Sequence, residues 1–190
     1  AIDKAKGSGP SPEQRLVAGE LLMRSGDYDR SIHALSQVLE LYRRGQVQES
    51  SYADALFLIS EAYFKDDQPL AAARHYKEIV DKGERPPYDS YVGRSLSRLV
   101  DVSIRTAHTD VLDYVFTRLA QLPASDASGS LQYARGKAYL AREECPNARN
   151  ALETVSRTSN WAHQAGYLLG VVAMKETLAK APPATTATKD

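Results

Sequence analysis

The chain has 190 residues, 43% of them hydrophobic and 25% charged, and its 24 Lys and Arg are balanced by 24 Asp and Glu. That is enough apolar material for a core. A formal net charge of zero lacks the excess cations by which a dedicated nucleic-acid module or a polybasic membrane anchor works, so no nucleic-acid partner is expected. No apolar run approaches the roughly 18 residues that cross a bilayer, so no direct membrane insertion is expected either. The one cysteine, Cys145, leaves no internal disulfide framework and no Cys-cluster zinc site.

The first residue is Ala1 rather than Met, which reads as a fragment or a processed chain. Residues 1–12, with Gly7, Ser8, Gly9, Pro10 and Pro12, have the composition of a linker. Residues 179–190 (AKAPPATTATKD) read as a disordered Pro/Ala/Thr tail. Between them, residues 13–178 form the structured domain.

Apolar spacing is helical nearly throughout that domain. Leu16, Gly19, Leu22 and Met23 share one face, and Ile32, Leu35, Val38, Leu39 and Tyr42 share another at spacings of three and four. No stretch alternates with period two for long enough to suggest a strand. Breaks fall at Ser25-Gly26-Asp27, at Asp66 to Pro69, at Gly83 to Pro87 and at Pro123 to Gly129. The spacing predicts helices over 12–25, 28–44, 50–65, 69–81, 87–106, 109–121, 127–142, 145–156 and 160–178.

The helices come in pairs, and the pairs repeat. Gly19, Ser60, Val100, Gly136 and Gly170 occupy matching places on alternate helices, 41, 40, 36 and 34 residues apart. Each of the first four is followed by a turn: Gly26-Asp27-Tyr28, Asp67-Gln68-Pro69, Ala107-His108-Thr109 and Glu143-Glu144-Cys145. Small residues Ser31, Ala72 and Ala148 then stand on the second helices, and aromatic Tyr63 and Tyr139 follow the small position by three. Small pairs allow two helices of one hairpin to approach closely. Gly136 is expected to face Ala148, and bulky Val100 and Leu112 should push the third hairpin apart.

This pattern resembles the tetratricopeptide repeat, a helix–turn–helix unit of about 34 residues. The resemblance implies an all-α fold: a right-handed superhelical array of four antiparallel hairpins plus a terminal helix. A narrower likeness rests on long inter-repeat loops, many Tyr and the string Trp161 to Gly170. It is to repeat proteins of bacterial cell envelopes, of the tol-pal-associated, outer-membrane-assembly and gliding-motility kinds. The compartment stays open between the bacterial periplasm or envelope and the cytoplasm, with the envelope ahead.

Catalytic groups do not converge. His33, His75, His108 and His163 fall in different repeats without partners at ligand spacing, Cys145 has the place of a small apolar plug, and neither a phosphate-binding Gly loop nor Gly-x-Ser-x-Gly occurs. No enzyme, cofactor or metal is expected. The resemblance instead implies a concave wall of first helices that holds a protein or peptide segment. The family's carboxylate clamp is missing, because Leu16 and Phe57 stand where its Lys and Asn would be needed.

The candidate partner-binding residues on that wall are Glu20, Arg24, Phe57, Glu61, Phe64, Lys65, Asp101, Arg105, Tyr133, Lys137 and Tyr167. Acid and base recur four apart as Glu20–Arg24, Glu61–Lys65 and Asp101–Arg105, the i, i+4 pairing that stabilises a helix by about 0.2–0.5 kcal/mol. The same residues could form a groove of alternating charge with Phe57 and Tyr133 as its aromatic anchors. The expected function is a non-enzymatic interaction module, a scaffold segment of a larger multi-protein complex. The competing expectation is self-association, or packing on further repeats of a longer chain, through the terminal helix.

Overall fold

A computed structural model of the chain describes residues 9–83, 85–124 and 126–180. Most of the expected linker, residues 1–8, and the tail from 181 onward lie outside the described residues. Among those described there are nine helices and no strand: α1 (Pro12–Ser25), α2 (Tyr28–Arg43), α3 (Glu49–Lys65), α4 (Pro69–Lys82), α5 (Asp89–Thr106), α6 (Thr109–Gln121), α7 (Ser130–Ala141), α8 (Cys145–Glu153) and α9 (Ala162–Lys180). Ala179 and Lys180, expected in the tail, continue α9 instead.

Local chemistry sets the ends. Ser11 caps α1 in a reciprocal box with Gln14: the Gln14 backbone N–H donates to Ser11 Oγ at 3.2 Å, and the Ser11 N–H donates to Gln14 Oε1 at 2.8 Å. Asp27 caps α2. The helix following Gly129 has no cap on that residue. Asp126 supplies one from three positions back, accepting from the N–H groups of Ser130 and Leu131, both at 3.1 Å.

The turns share a conformation that spacing alone did not announce. Gly26, Asp67, Ala107 and Glu143 all have positive φ, at 85°, 57°, 55° and 62°. Each is the first residue of one of the four repeated turns, so the left-handed reversal recurs in register with the repeat. Only the first of the four is glycine, the residue that adopts this region without a Cβ clash.

The chain divides into two compact units, residues 1–118 and 119–190. In the first, each helix from α1 to α4 packs on the next, and α1 also touches α3, so first helices of successive hairpins meet. In the second, α7 packs on α8, α8 on α9 and α7 on α9. These are the hairpin and stacking contacts of a helical repeat of the tetratricopeptide type.

Within hairpins the decisive contact is a leucine seated on a glycine. A Cβ on Gly19 would lie 2.5 Å from Leu35 Cγ, and one on Gly136 would lie 2.4 Å from Leu152 Cγ. Leu35 and Leu152 are at 0% and 1% exposure. The expected partner of Gly136 was Ala148. The actual one is Leu152, one turn further along α8, because the small residue lets the larger side chain cross over the glycine backbone. Ser31 adds a hydrogen bond from its Oγ to the Gly19 carbonyl at 2.7 Å, buried between α1 and α2. Gly170, at the matching place on α9, meets nothing within 4 Å.

Three outcomes are expected from urea unfolding. Gly136→Leu should destabilise the chain by roughly 1–3 kcal/mol through overpacking against Leu152, whereas Gly170→Ala, with open space around it, should stabilise α9 by about 0.5–1 kcal/mol. Ala107→Gly should raise stability by relieving the left-handed backbone, a gain of about 1 kcal/mol, measured as a higher denaturation midpoint.

Candidate functional site

The first helices of the first unit, α1, α3 and α5, line a groove of about 560 Å³. Leu16, Glu20, Met23 and Arg24 come from α1, Asp54, Phe57, Leu58, Glu61 and Lys65 from α3, and Tyr91 and Arg94 from α5. The helical repeat places them there. Residues four apart on a helix share a face, and stacked first helices turn that face the same way.

Phe57 forms the floor rather than a free anchor. It is 4% exposed, its ring stacked on Tyr91 at 4.7 Å between centroids, with the Arg94 guanidinium 4.3 Å from the ring centroid. The next first helix, α5, brings both of those residues over it. Phe64 is half-buried, with Arg98 and Arg105 over its ring at 5.0 and 4.7 Å.

Acids and bases pair across helices as well as along them. Glu20 and Arg24 do pair at 2.7 Å on α1. Glu61 turns instead to α5, where Arg98 grips both carboxylate oxygens at 2.8 Å, and to α4, where the Tyr76 hydroxyl donates to it at 2.6 Å. Arg105 reaches back to α3 and the following turn, donating to the Phe64 carbonyl at 3.2 Å and to Asp67 at 2.8 Å. Asp101 lies 3.6 Å from Arg98. Tyr91 donates its hydroxyl to Asp54 at 2.6 Å. Lys65 is exposed at the groove edge.

Glu61 is 8% exposed. Burial by itself pushes its carboxyl up, but the hydrogen bonds and charge of Arg98, with the Tyr76 hydroxyl, outweigh that and hold it below the ordinary value. Burial and the adjacent carboxylate together push the Tyr76 hydroxyl far up, keeping it a donor.

The remaining candidates belong to the second unit. Tyr133 is buried and stacked on Trp161 at 4.8 Å, with the Lys137 ammonium 5.9 Å from its ring. Tyr167 is 73% exposed on α9. Phe57 and Tyr133 thus each pack inside their own unit.

Sequence spacing missed Arg98 and Tyr91 as parts of the site. Each lies 37 residues beyond the acid it binds. An acid on one first helix answered by a donor one repeat later was the available signal, and the local acid–base spacing of four obscured it. The histidines take local roles: His33 bonds Gln37 at 2.8 Å, His75 stacks on Tyr63, and His108 Nδ1 lies 3.0 Å from the Thr106 carbonyl. Cys145 opens α8 and packs partly buried against the Tyr133–Leu152 cluster. Among the described residues no group of three His, Cys, Asp or Glu could hold a metal ion, and no helix is long and apolar enough to cross a membrane.

Residues 16–89, which run from within α1 to the first residue of α5, match the tetratricopeptide repeat family. Such repeats generally mediate protein–protein interaction or scaffolding and are typically non-catalytic. A search of curated proteins found no match.

The Glu61 network should be visible in acid. Its folded-state pKa lies below the ordinary 4.5, so its contribution is complete above that value and lost as pH falls through the folded one. Glu61→Gln should lower stability at neutral pH by about 1.5–3 kcal/mol, the worth of a hydrogen bond to a charged group. It should also flatten the decline below pH 4.5, as read from denaturation midpoints across a pH series.

Proposed function

We propose that the chain is a non-enzymatic scaffold segment that holds a partner protein segment in the groove of its first unit. The observation that carries this is the groove itself: α1, α3 and α5 line it with partly exposed apolar side chains, Leu16, Met23 and Leu58, set among charged ones. Its lining falls almost wholly within the stretch that matches interaction repeats. Glu20, Arg24, Glu61 and Lys65 line it, Phe57 forms its floor, and Phe64, Asp101 and Arg105 flank it through the contacts of Arg98 and Arg105. An extended or helical segment would seat apolar side chains on the α1 and α3 walls and align by charge. The placement of this scaffold in an assembly of the bacterial cell envelope or its motility machinery rests on the sequence likeness around Trp161 to Gly170.

A second reading is supported by α9. Tyr167, Met174 and Leu178 are exposed at 73%, 58% and 66% on one side of that helix, and Gly170 between them is uncovered. Gly19 and Gly136 each receive a leucine from a following helix, so α9 offers a face of the same design to a second copy or to a further repeat. In this reading Tyr167 binds partners of the same kind as the chain. Sedimentation separates the two. Concentration-dependent dimers abolished by Met174→Glu support self-association.

Peptides selected from a random display library against the whole chain test the groove. Leu16→Glu combined with Met23→Glu should weaken the selected peptides by about tenfold or more while the far-UV spectrum stays unchanged. Peptides that bind this variant at full strength overturn the assignment. Phe57→Ala is expected to act differently, lowering stability by roughly 3–5 kcal/mol because it empties a buried, stacked position.

A further inference from the structure

Every carboxylate in the groove is already held by an ion pair or a hydrogen bond, and two of its cations form no ion pair among the described residues. Glu20 is held by Arg24 at 2.7 Å, Asp54 accepts the Tyr91 hydroxyl at 2.6 Å, and Glu61 is gripped by Arg98 and Tyr76. Arg94 and Lys65 line the same groove and are exposed, yet among the described residues neither is in direct ion-pair contact with a carboxylate, and Arg94 acts on Glu61 only through its charge. Arg94 lies with its guanidinium over Phe57, 4.3 Å from the ring centroid. A guanidinium stacked this way keeps its N–H edge available for a planar, bidentate carboxylate. Lys65 adds a second positive charge at the α3 edge.

We propose that the groove selects an acidic partner segment, one whose Asp or Glu side chains pair with Arg94 and Lys65 while a neighbouring apolar side chain rests on Leu16, Met23 and Leu58. This rests on the groove being the partner site and adds the chemistry of what enters it. Charge complementarity gives the direction. A carboxylate entering the groove finds unspent donors, whereas a basic side chain finds acids that it must first take from Arg24, Tyr91 or Arg98. Electrostatic matching of this kind governs specificity and association rate, and it weakens with salt. The recognised groups are side-chain carboxylates, so the partner needs no free C-terminus.

Three capped peptides of about twelve residues, alternating Leu with Glu, Gln or Lys, are the probes. They are acetylated and amidated so that no terminal charge takes part, and each is titrated by fluorescence anisotropy against the full chain. The Glu peptide should bind about tenfold more tightly than the other two at about 50 mM salt, with the advantage shrinking at about 500 mM. Lys65→Gln with Arg94→Gln should erase the advantage. Lys65→Gln alone, at an exposed site with no ion pair or hydrogen bond to lose among the described residues, should reduce it without changing the melting temperature. Equal binding of all three peptides, a Glu preference that survives in the double variant, or no binding of the Glu peptide at about 1 mM each overturns the acidic assignment. Equal binding that Leu16→Glu with Met23→Glu still abolishes leaves the groove as the partner site and removes only its charge preference. Binding insensitive to both sets of variants removes the groove as well.

Discussion

The fold depends on how closely two helices of a hairpin can approach. At Gly19 and Gly136 there is no Cβ, and the space that one would fill holds Leu35 and Leu152. Each leucine is fully buried against the backbone of the facing helix. Fixing that distance fixes the rest of the hairpin: the small residue one turn before each leucine, Ser31 or Ala148, also comes to 0% exposure. The left-handed turn residue seven positions after the glycine, Gly26 or Glu143, must then reverse the chain within a few residues. A hydrophobic interior packed at crystal-like density has little tolerance for a change at such a point.

Stacking between hairpins is polar as well as apolar. The Glu61–Arg98 pair and the Tyr91–Asp54 hydrogen bond each join α3 to α5, and Tyr76 ties α4 into the first of these. Tyr114 continues the habit on α6, donating to Asp81 of α4 at 2.7 Å. A buried carboxylate is tolerable because Arg98 and Tyr76 satisfy both of its oxygens. The consequence reaches the surface. By binding Glu61 to Arg98, the stack spends an acid of the groove wall and leaves Lys65, its neighbour four residues on, without the partner that helix spacing offered it.

The two ends of the described chain differ from its middle. On α1, Val17 and Leu21 are exposed at 54% and 59%, and on α9 Tyr167, Met174 and Leu178 are exposed as well. The first helices α3 and α5 bury more, keeping nine residues each from solvent, although Ile104 on α5 is exposed too. In a repeat array each helix hairpin covers its neighbours. These outer faces therefore carry the apolar character of covered positions on helices that the described chain does not cover, which is why α9 supports a second reading of the function.

Much of this was legible in the sequence. The nine helices of the described residues and the breaks between them followed from apolar periodicity and from turn residues, because both are set within a few residues of the chain and repeat with it. The shared register of Gly19 and Gly136 was legible for the same reason, whereas Gly170 at the matching place on α9 meets no facing helix. Which side chains meet across helices was not. Gly136 finds Leu152 rather than Ala148, and Phe57 finds Tyr91 and Arg94 rather than solvent. Glu61 finds Arg98, 37 residues on, rather than Lys65. Local spacing favours the i, i+4 pair by only a few tenths of a kcal/mol, and a buried bidentate contact outweighs it once stacking brings α5 against α3. Sequence determined the elements and their repeat, since those depend on neighbours along the chain. The tertiary structure alone decided which charges are spent in the stack and which remain in the groove, since that depends on neighbours one repeat away.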